Sequence, residues 1–187
     1  MKKIALLFVF GLISTGLLAQ PNRGVRLSGG LGGVIPVGAL SSQQYGSGIS
    51  VNAAAELFTI AESRVVLING GLETGYQAFG KKIVSMSAIP FDLFVNAGFR
   101  TPARRLRVRT GFGVGLFSNT TNKRINGEDT ATFTGLYVPF ALDFRINPTT
   151  RFVVEARGYE IFGMVGYQDV TQDYATVRVG FEYFIPM

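Results

Sequence analysis

The sequence predicts an all-β fold, an eight-stranded antiparallel up-and-down transmembrane β-barrel. Three observations predict it: hydrophobicity beyond residue 20 has a period of two, eight such stretches follow one another, and each stretch has one apolar face and one face of glycine and charge. Apolar residues make up 47% of the 187-residue chain and only 16% are charged, which excludes a disordered chain. Beyond the N-terminus no apolar run reaches about 18 residues, so helical membrane spans are not expected.

Residues 1–20 predict a cleaved signal peptide, and residues 21–187 form the predicted barrel domain. Two lysines precede an apolar run over residues 4–19, and this run is shorter than the roughly 20 residues that a membrane-spanning helix needs. Cleavage is expected after Ala19 or Gln20. The chain is therefore predicted to be exported.

The eight predicted strands are separated by glycine, proline and polar residues. They cover residues 24–35, 49–60, 65–78, 83–99, 106–117, 132–146, 151–164 and 174–185. Three predicted connections are long and polar, at 36–48, 118–131 and 165–173, and they alternate with short ones, apart from the short connection at 79–82. Membrane barrels of this kind have short turns at one end and longer loops at the other.

The polar faces of the strands supply the candidate site, an ion-paired lumen. Their charged residues include arginine but no lysine, and the planar guanidinium group pairs with carboxylates through two hydrogen bonds. Glycine on the same faces suits a narrow interior. Because unpaired charge in such a lumen is costly, we expect a structural plug rather than a gated ion path. The predicted lumen network contains Arg26, Glu56, Glu73, Asp92, Arg107, Arg109, Asp143, Arg145, Glu155, Arg157, Arg178 and Glu182.

Four of these charges flank the turn between the sixth and seventh strands, and their inward orientation restricts the register. One allowed register places Arg145 opposite Glu155 and Asp143 opposite Arg157, and the next makes these pairs diagonal.

Two prolines, Pro90 and Pro139, fall within the fourth and sixth strands. Each removes a ladder hydrogen-bond donor, so a bulge or kink is expected at both.

Histidine and cysteine are absent, which excludes Ser–His and Cys–His nucleophiles and the usual zinc ligands. No catalytic, cofactor-binding or metal-binding residue is therefore predicted, and the chain is not expected to be an enzyme.

The glycine-rich runs are not followed by a helix, so they do not predict a phosphate-binding loop. Basic residues are mostly spaced singly, and no nucleic-acid partner is expected.

Four segments carry a resemblance to a known family: the Leu-Leu-Ala-Gln end of the signal, Ile89-Pro90-Phe91, residues 151–159 and residues 177–185. Together they resemble the outer-membrane β-barrel domain family, a porin-family group similar in architecture to the OmpA and OmpX barrels. The resemblance implies a bacterial outer-membrane location, contact with outer-membrane lipid, and insertion by the barrel assembly machinery. That machinery recognises an aromatic-rich last strand, whereas this chain departs from the pattern by ending in Pro186-Met187.

The expected function is that of an integral outer-membrane protein of the cell envelope. It would have a structural or binding role through its external loops, above all 36–48 and 118–131, and no catalysis. The external partner is unknown. Two alternatives stay open: a small porin-like channel, and a soluble periplasmic barrel that binds an apolar ligand. The outward or inward direction of Leu136, Val138 and Phe140 distinguishes the membrane barrel from the soluble one.

Overall fold

A computed structural model describes residues 24–37, 46–81, 84–103, 105–123, 127–165 and 168–186. Each strand pairs antiparallel with the next, and β8 pairs with β1, so the sheet closes into a barrel. The predicted fold class is confirmed. Among the described residues, no helix is long and apolar enough to cross a membrane. The strands are β1 (Gly24–Val37), β2 (Gly48–Glu62), β3 (Val66–Lys81), β4 (Val84–Arg100), β5 (Leu106–Lys123), β6 (Gly127–Arg145), β7 (Thr150–Val165) and β8 (Gln168–Pro186).

The two ends of the barrel differ, and we name them by the chain. At the terminal end, where β1 begins and β8 ends, turns lie at 63–65 and 146–149, and β4 and β5 are connected between Arg100 and Leu106. The Asn147 side chain closes the last turn, because its Oδ1 accepts hydrogen bonds from the backbone N–H groups of Thr149 (3.0 Å) and Thr150 (2.8 Å). The opposite end is the distal end.

The apolar faces of the strands point outward. On β6, Leu136, Val138 and Phe140 are 45%, 61% and 54% exposed, whereas Tyr137 and Asp143, on the other face, are at most 2% exposed. The predicted outward direction is confirmed. A soluble barrel would have the opposite arrangement, with its apolar side chains in the interior.

Strand pairing continues further toward the distal end than the sequence predicts. The expected loop at 118–131 is mostly strand, because β5 continues to Lys123 and β6 begins at Gly127. In the same way, most of the expected loop at 165–173 belongs to β8. Polar residues end the alternating pattern there, but an antiparallel ladder satisfies its backbone groups without apolar side chains, and threonine favours it. Thr120 and Thr130 share a hydrogen bond across this extension (3.1 Å).

No bulge occurs at Pro90 or Pro139, but the ladder to the preceding strand is interrupted at both prolines. Ile89 and Pro90 have no partner on β3, and Val138 and Pro139 have none on β5. Residues on both sides of each proline keep one register, and each proline carbonyl accepts a hydrogen bond from a threonine on the preceding strand. These bonds are Thr74 Oγ1 to Pro90 O (2.9 Å) and Thr110 Oγ1 to Pro139 O (3.0 Å). The register shifts lie instead in β2, after Glu56.

A charge on the outer wall should destabilise the protein in a bilayer. Val138→Arg places a guanidinium in the apolar face of β6, and the free energy of unfolding should fall by about 2–4 kcal/mol. Urea titration in lipid vesicles, followed by circular dichroism, measures this. The matched control is Ala103→Arg, which adds the same charge at an exposed turn and should change the value by less than about 0.5 kcal/mol. Equal losses in the two variants would contradict a lipid-facing wall.

Candidate functional site

The centre of the interior holds a ring of four charges from three strands. Arg157 binds Glu73 through two parallel hydrogen bonds, Nη1 to Oε1 and Nη2 to Oε2, both 2.6 Å. Glu155 Oε1 accepts hydrogen bonds from Arg157 Nε and Arg178 Nη2, both 2.6 Å, and Arg178 Nη1 reaches Glu73 Oε1 at 3.1 Å. All four residues are buried. The ring therefore ties β7 and β8 to β3 across the barrel.

A second group of charges lies closer to the terminal end. Arg107 donates hydrogen bonds to Asp143 and to Glu182, and all three are buried. Arg109 joins this group to the ring, with Nε 3.5 Å from Asp143 Oδ2 and Nη2 3.6 Å from Glu155 Oε2.

Arg26 and Glu56 complete the network on β1 and β2. Arg26 Nη1 lies 3.6 Å from Glu56 Oε2, and Arg26 Nε lies 3.9 Å from Glu182 Oε1. Glu56 also accepts a hydrogen bond from the buried amide of Asn69. The ion pairs thus involve strands on every side of the lumen.

The interior contains eleven of the twelve sequence-predicted residues. Ten are at most 6% exposed, and the side chain of Arg26 is 12% exposed. The ten are Glu56, Glu73, Asp92, Arg107, Arg109, Asp143, Glu155, Arg157, Arg178 and Glu182.

Arg145 is the exception, and its assignment to the lumen is wrong. The register of β6 and β7 places Arg145 opposite Arg151 and Asp143 opposite Val153, not opposite the residues expected. Arg145 is exposed at the terminal end, where its Nε donates to Asn147 O (3.3 Å). Arg151 is the residue that sequence reasoning missed: its Nε lies 4.0 Å from Glu182 Oε1. Arg151 lies an even number of residues from Glu155 along β7, so strand alternation places both on the inward face and could have identified Arg151.

Asp92 is buried but stands apart from the ion pairs. It lies directly opposite Glu73 in the register, is 0% exposed, and accepts no hydrogen bond from a described residue. Glu73 receives both nearby guanidinium groups, so the neighbouring carboxylate is left without one. Gly115 faces Asp92 on β5, and a Cβ there would lie 1.8 Å from Asp92 Oδ1.

An aromatic plug, which the sequence does not predict, fills the distal part of the interior. We define it by Phe79, Phe117, Tyr137, Tyr159 and Tyr174, which are all at most 4% exposed. The rings of Tyr159 and Tyr174 stack at 4.7 Å, and Tyr137 lies 5.3 Å from Tyr159. The signal was present, because each plug residue has the inward parity of its strand.

The plug and the ion network meet at one contact. The guanidinium of Arg157 lies over the ring of Tyr137, 4.5 Å from its centroid. Such a cation–π contact is stronger in a desolvated interior.

Inward-facing glycines provide the space for the plug. Gly113 lies opposite Tyr137, and a Cβ on it would come within 2.2 Å of the tyrosine ring. A Cβ on Gly135 would lie 2.6 Å from the ring of Phe117. Small and large residues therefore alternate across the narrow interior.

Adding one methyl group at Gly113 should destabilise the barrel. Gly113→Ala forces the Tyr137 ring to move within a packed interior, and the free energy of unfolding should fall by about 1–3 kcal/mol. Gly158→Ala is the control, because no atom lies within 4 Å of the Cβ position on this outward-facing residue. It should leave stability unchanged or raise it by up to about 1 kcal/mol. A Gly113→Ala protein as stable as the control would show that the plug is loosely packed.

A small cavity lies beside the charged ring. Its volume of about 30 Å³ is that of a single water molecule, and it adjoins Arg109, Glu155 and Arg178. Among the described residues, no group of three or more histidine, cysteine, aspartate or glutamate side chains could hold a metal ion. The arrangement can hold charge in place and fill the lumen.

Comparisons with known proteins identify the fold. No family model and no curated protein sequence matches this chain. The crystal structure of Neisserial surface protein A, NspA, matches with a TM-score of 0.68 and 12% identity, over 88% of this chain and 98% of that chain. The N-terminal β-barrel domain of Pseudomonas aeruginosa OprF matches with a TM-score of 0.52 and 15% identity, over 88% of this chain and 100% of that chain. This chain has the fold of an eight-stranded outer-membrane β-barrel.

The ion ring must be complete to be stable, because all four of its charged residues are buried. Glu73→Gln removes the carboxylate that binds Arg157 and Arg178 and leaves two buried guanidinium groups without it. The free energy of unfolding should fall by about 3–5 kcal/mol, measured by urea titration in vesicles.

Glu62→Gln provides the control for this change. Glu62 pairs with Arg100 at 2.8 Å, but its side chain is 45% exposed. Loss of such a surface pair should cost at most about 1 kcal/mol. A Glu73→Gln protein that loses no more than the control would contradict the structural importance of the ring.

Proposed function

We propose that this chain is an integral protein of the bacterial outer membrane, with a structural or binding role carried by its external end. The observation that supports this most strongly is the combination of an apolar outer wall and a filled interior. The wall includes Leu31, Val138 and Phe181, which are 65%, 61% and 56% exposed and would contact outer-membrane lipid.

The filled interior favours this role over the channel alternative. A conducting path needs continuous water, whereas the ion ring and the aromatic plug occupy successive levels of the lumen. Opening such a path would separate Arg157 from Glu73, and the separated charges would be left in a desolvated site.

The soluble alternative requires an apolar interior. Here the buried faces of β3, β7 and β8 carry Glu73, Arg157 and Arg178, while the apolar faces are exposed. A soluble protein with this wall would expose a large apolar band to water, which leads to aggregation.

The proposal includes no catalysis. The chain contains no histidine or cysteine. The buried carboxylate of Glu73 is bound by two arginines and that of Glu155 by three, so their oxygens are committed to ion pairs rather than available for proton transfer.

The distal end is the external end in this proposal, and the terminal end faces the periplasm. Strands β5, β6 and β8 have 18, 19 and 19 residues, about twice the 9–11 that a tilted strand needs to cross a bilayer. Their excess length lies at the distal end, where the β5–β6 hairpin continues the sheet. This hairpin and the connection around residues 38–47 would meet an external partner. Insertion would use the barrel assembly machinery.

Single-cysteine labelling tests both the location and the orientation. The chain has no native cysteine, so Thr130→Cys near the distal end and Ala103→Cys at the terminal end each introduce one thiol. A membrane-impermeant maleimide added to intact cells should label the first variant and not the second. Both should be labelled after the outer membrane is permeabilised.

The same cells provide the check on membrane integration. The protein should remain in the outer-membrane fraction after a carbonate wash. Release without detergent would favour the soluble barrel, and labelling of Ala103→Cys alone in intact cells would reverse the orientation.

A further inference from the structure

A cavity of about 220 Å³ lies at the terminal end of the barrel, next to the ion network. The charged residues that line it are Arg26, Arg100, Arg107, Arg145, Arg151, Glu62 and Glu182. Arg107 and Arg26 also pair with Asp143 and Glu56, which do not line the cavity, so the five arginines meet four carboxylates and one positive charge is in excess. We call this cavity the arginine vestibule.

Two of its guanidinium groups are weakly held. Arg145 forms no ion pair with a described residue, and Arg151 comes no closer than 4.0 Å to a described carboxylate, that of Glu182. The two arginines lie directly opposite one another on β6 and β7, where like charges repel. In contrast, Arg100 Nη2 is 2.8 Å from Glu62 Oε1.

Two more arginines lie at the same end of the barrel. They are Arg64 and Arg105, and both are exposed. A partly enclosed cavity with walls of low dielectric constant concentrates the field of such charges and raises the local concentration of anions. The vestibule therefore has an excess of positive charge, donors that are not committed to carboxylates, and open volume.

We propose that the arginine vestibule binds a phosphate-type oxyanion, with Arg145 and Arg151 as its direct ligands. An oxyanion held between the two guanidinium groups would relieve the repulsion between them. Guanidinium forks match the oxygen geometry of phosphate through paired hydrogen bonds. The cavity has the volume of about seven water molecules, which accommodates a phosphate group and part of its hydration shell.

The phosphate group has two possible sources, a free periplasmic compound or a lipid headgroup of the inner leaflet. Both present the same chemistry to Arg145 and Arg151. The proposal goes beyond the structural or external binding role, because the vestibule lies at the opposite end from the external hairpins.

The test follows arginine side-chain signals by nuclear magnetic resonance. The full-length mature protein, labelled with ¹⁵N-arginine, is folded in phosphatidylcholine nanodiscs and titrated with inorganic phosphate at constant ionic strength. Arginine Nε signals should shift and saturate. Arg145→Gln combined with Arg151→Gln should raise the Kd about tenfold or more, because two charge-assisted contacts are lost.

Two variants separate binding from folding and from general charge. Arg145→Gln alone changes an exposed side chain outside the ion network and should raise the Kd severalfold in a fully folded protein. Arg64→Gln removes the same charge outside the vestibule lining and should change the Kd by less than about twofold.

The second arm replaces inorganic phosphate with phosphatidylglycerol in the nanodisc. Saturation by free phosphate alone identifies a soluble ligand, and saturation by the lipid identifies a headgroup; both outcomes support the site. No saturable shift in either arm would overturn the proposal. Binding of acetate with the same Kd as phosphate would also overturn the proposal. So would an Arg64→Gln variant that raises the Kd as much as Arg145→Gln does, because either result indicates general charge screening rather than a specific site.

Discussion

The contact between Arg157 and Glu73 is the interaction on which the rest of the interior depends. Two parallel hydrogen bonds of 2.6 Å join opposite sides of a narrow barrel, and both residues are buried. Buried charges are tolerated only when their partners are held in place, so this contact requires Glu155 and Arg178 in their observed positions. The outward apolar wall follows from the same constraint, because strand alternation directs one face inward and the other outward.

The interior also shows how size and charge are matched along the barrel axis. Glycine at position 113 gives Tyr137 its space, and Tyr137 in turn supports the guanidinium of Arg157. The aromatic plug therefore stabilises the charged ring as well as filling the distal lumen. Asp92 is the one predicted lumen carboxylate without an ion pair to a described residue, so carboxylates and guanidinium groups are not fully paired at its position.

The sequence predicted much of this structure because a period of two assigns every strand residue to a face. Parity placed Glu73, Asp143 and Arg178 inside, and it placed Val138 outside, as the structure shows. Parity does not give the height of a residue along the barrel. For that reason Arg145 was assigned to the lumen, although the actual register of β6 and β7 leaves it at the rim.

The ends of the strands are also poorly predicted by the sequence. Apolar alternation stops at the edge of the lipid-facing wall, whereas the hydrogen-bonded ladder continues beyond it. The polar residues of the β5–β6 hairpin consequently suggested a loop. The aromatic plug is not predicted for a different reason. Phe117 and Tyr159 lie on inward faces, but aromatic residues such as Phe140 also lie on outward faces, so residue type alone does not indicate a plug. The sequence predicts function less well than fold, because binding residues on an external surface have no periodic pattern.

The central claim is that the ion ring and the aromatic plug close the lumen. Single-channel recording of the purified protein in planar lipid bilayers tests it most directly. The account predicts no steady conductance above that of the protein-free bilayer at voltages that leave the membrane intact. Reproducible, long-lived channels from pure protein would contradict it.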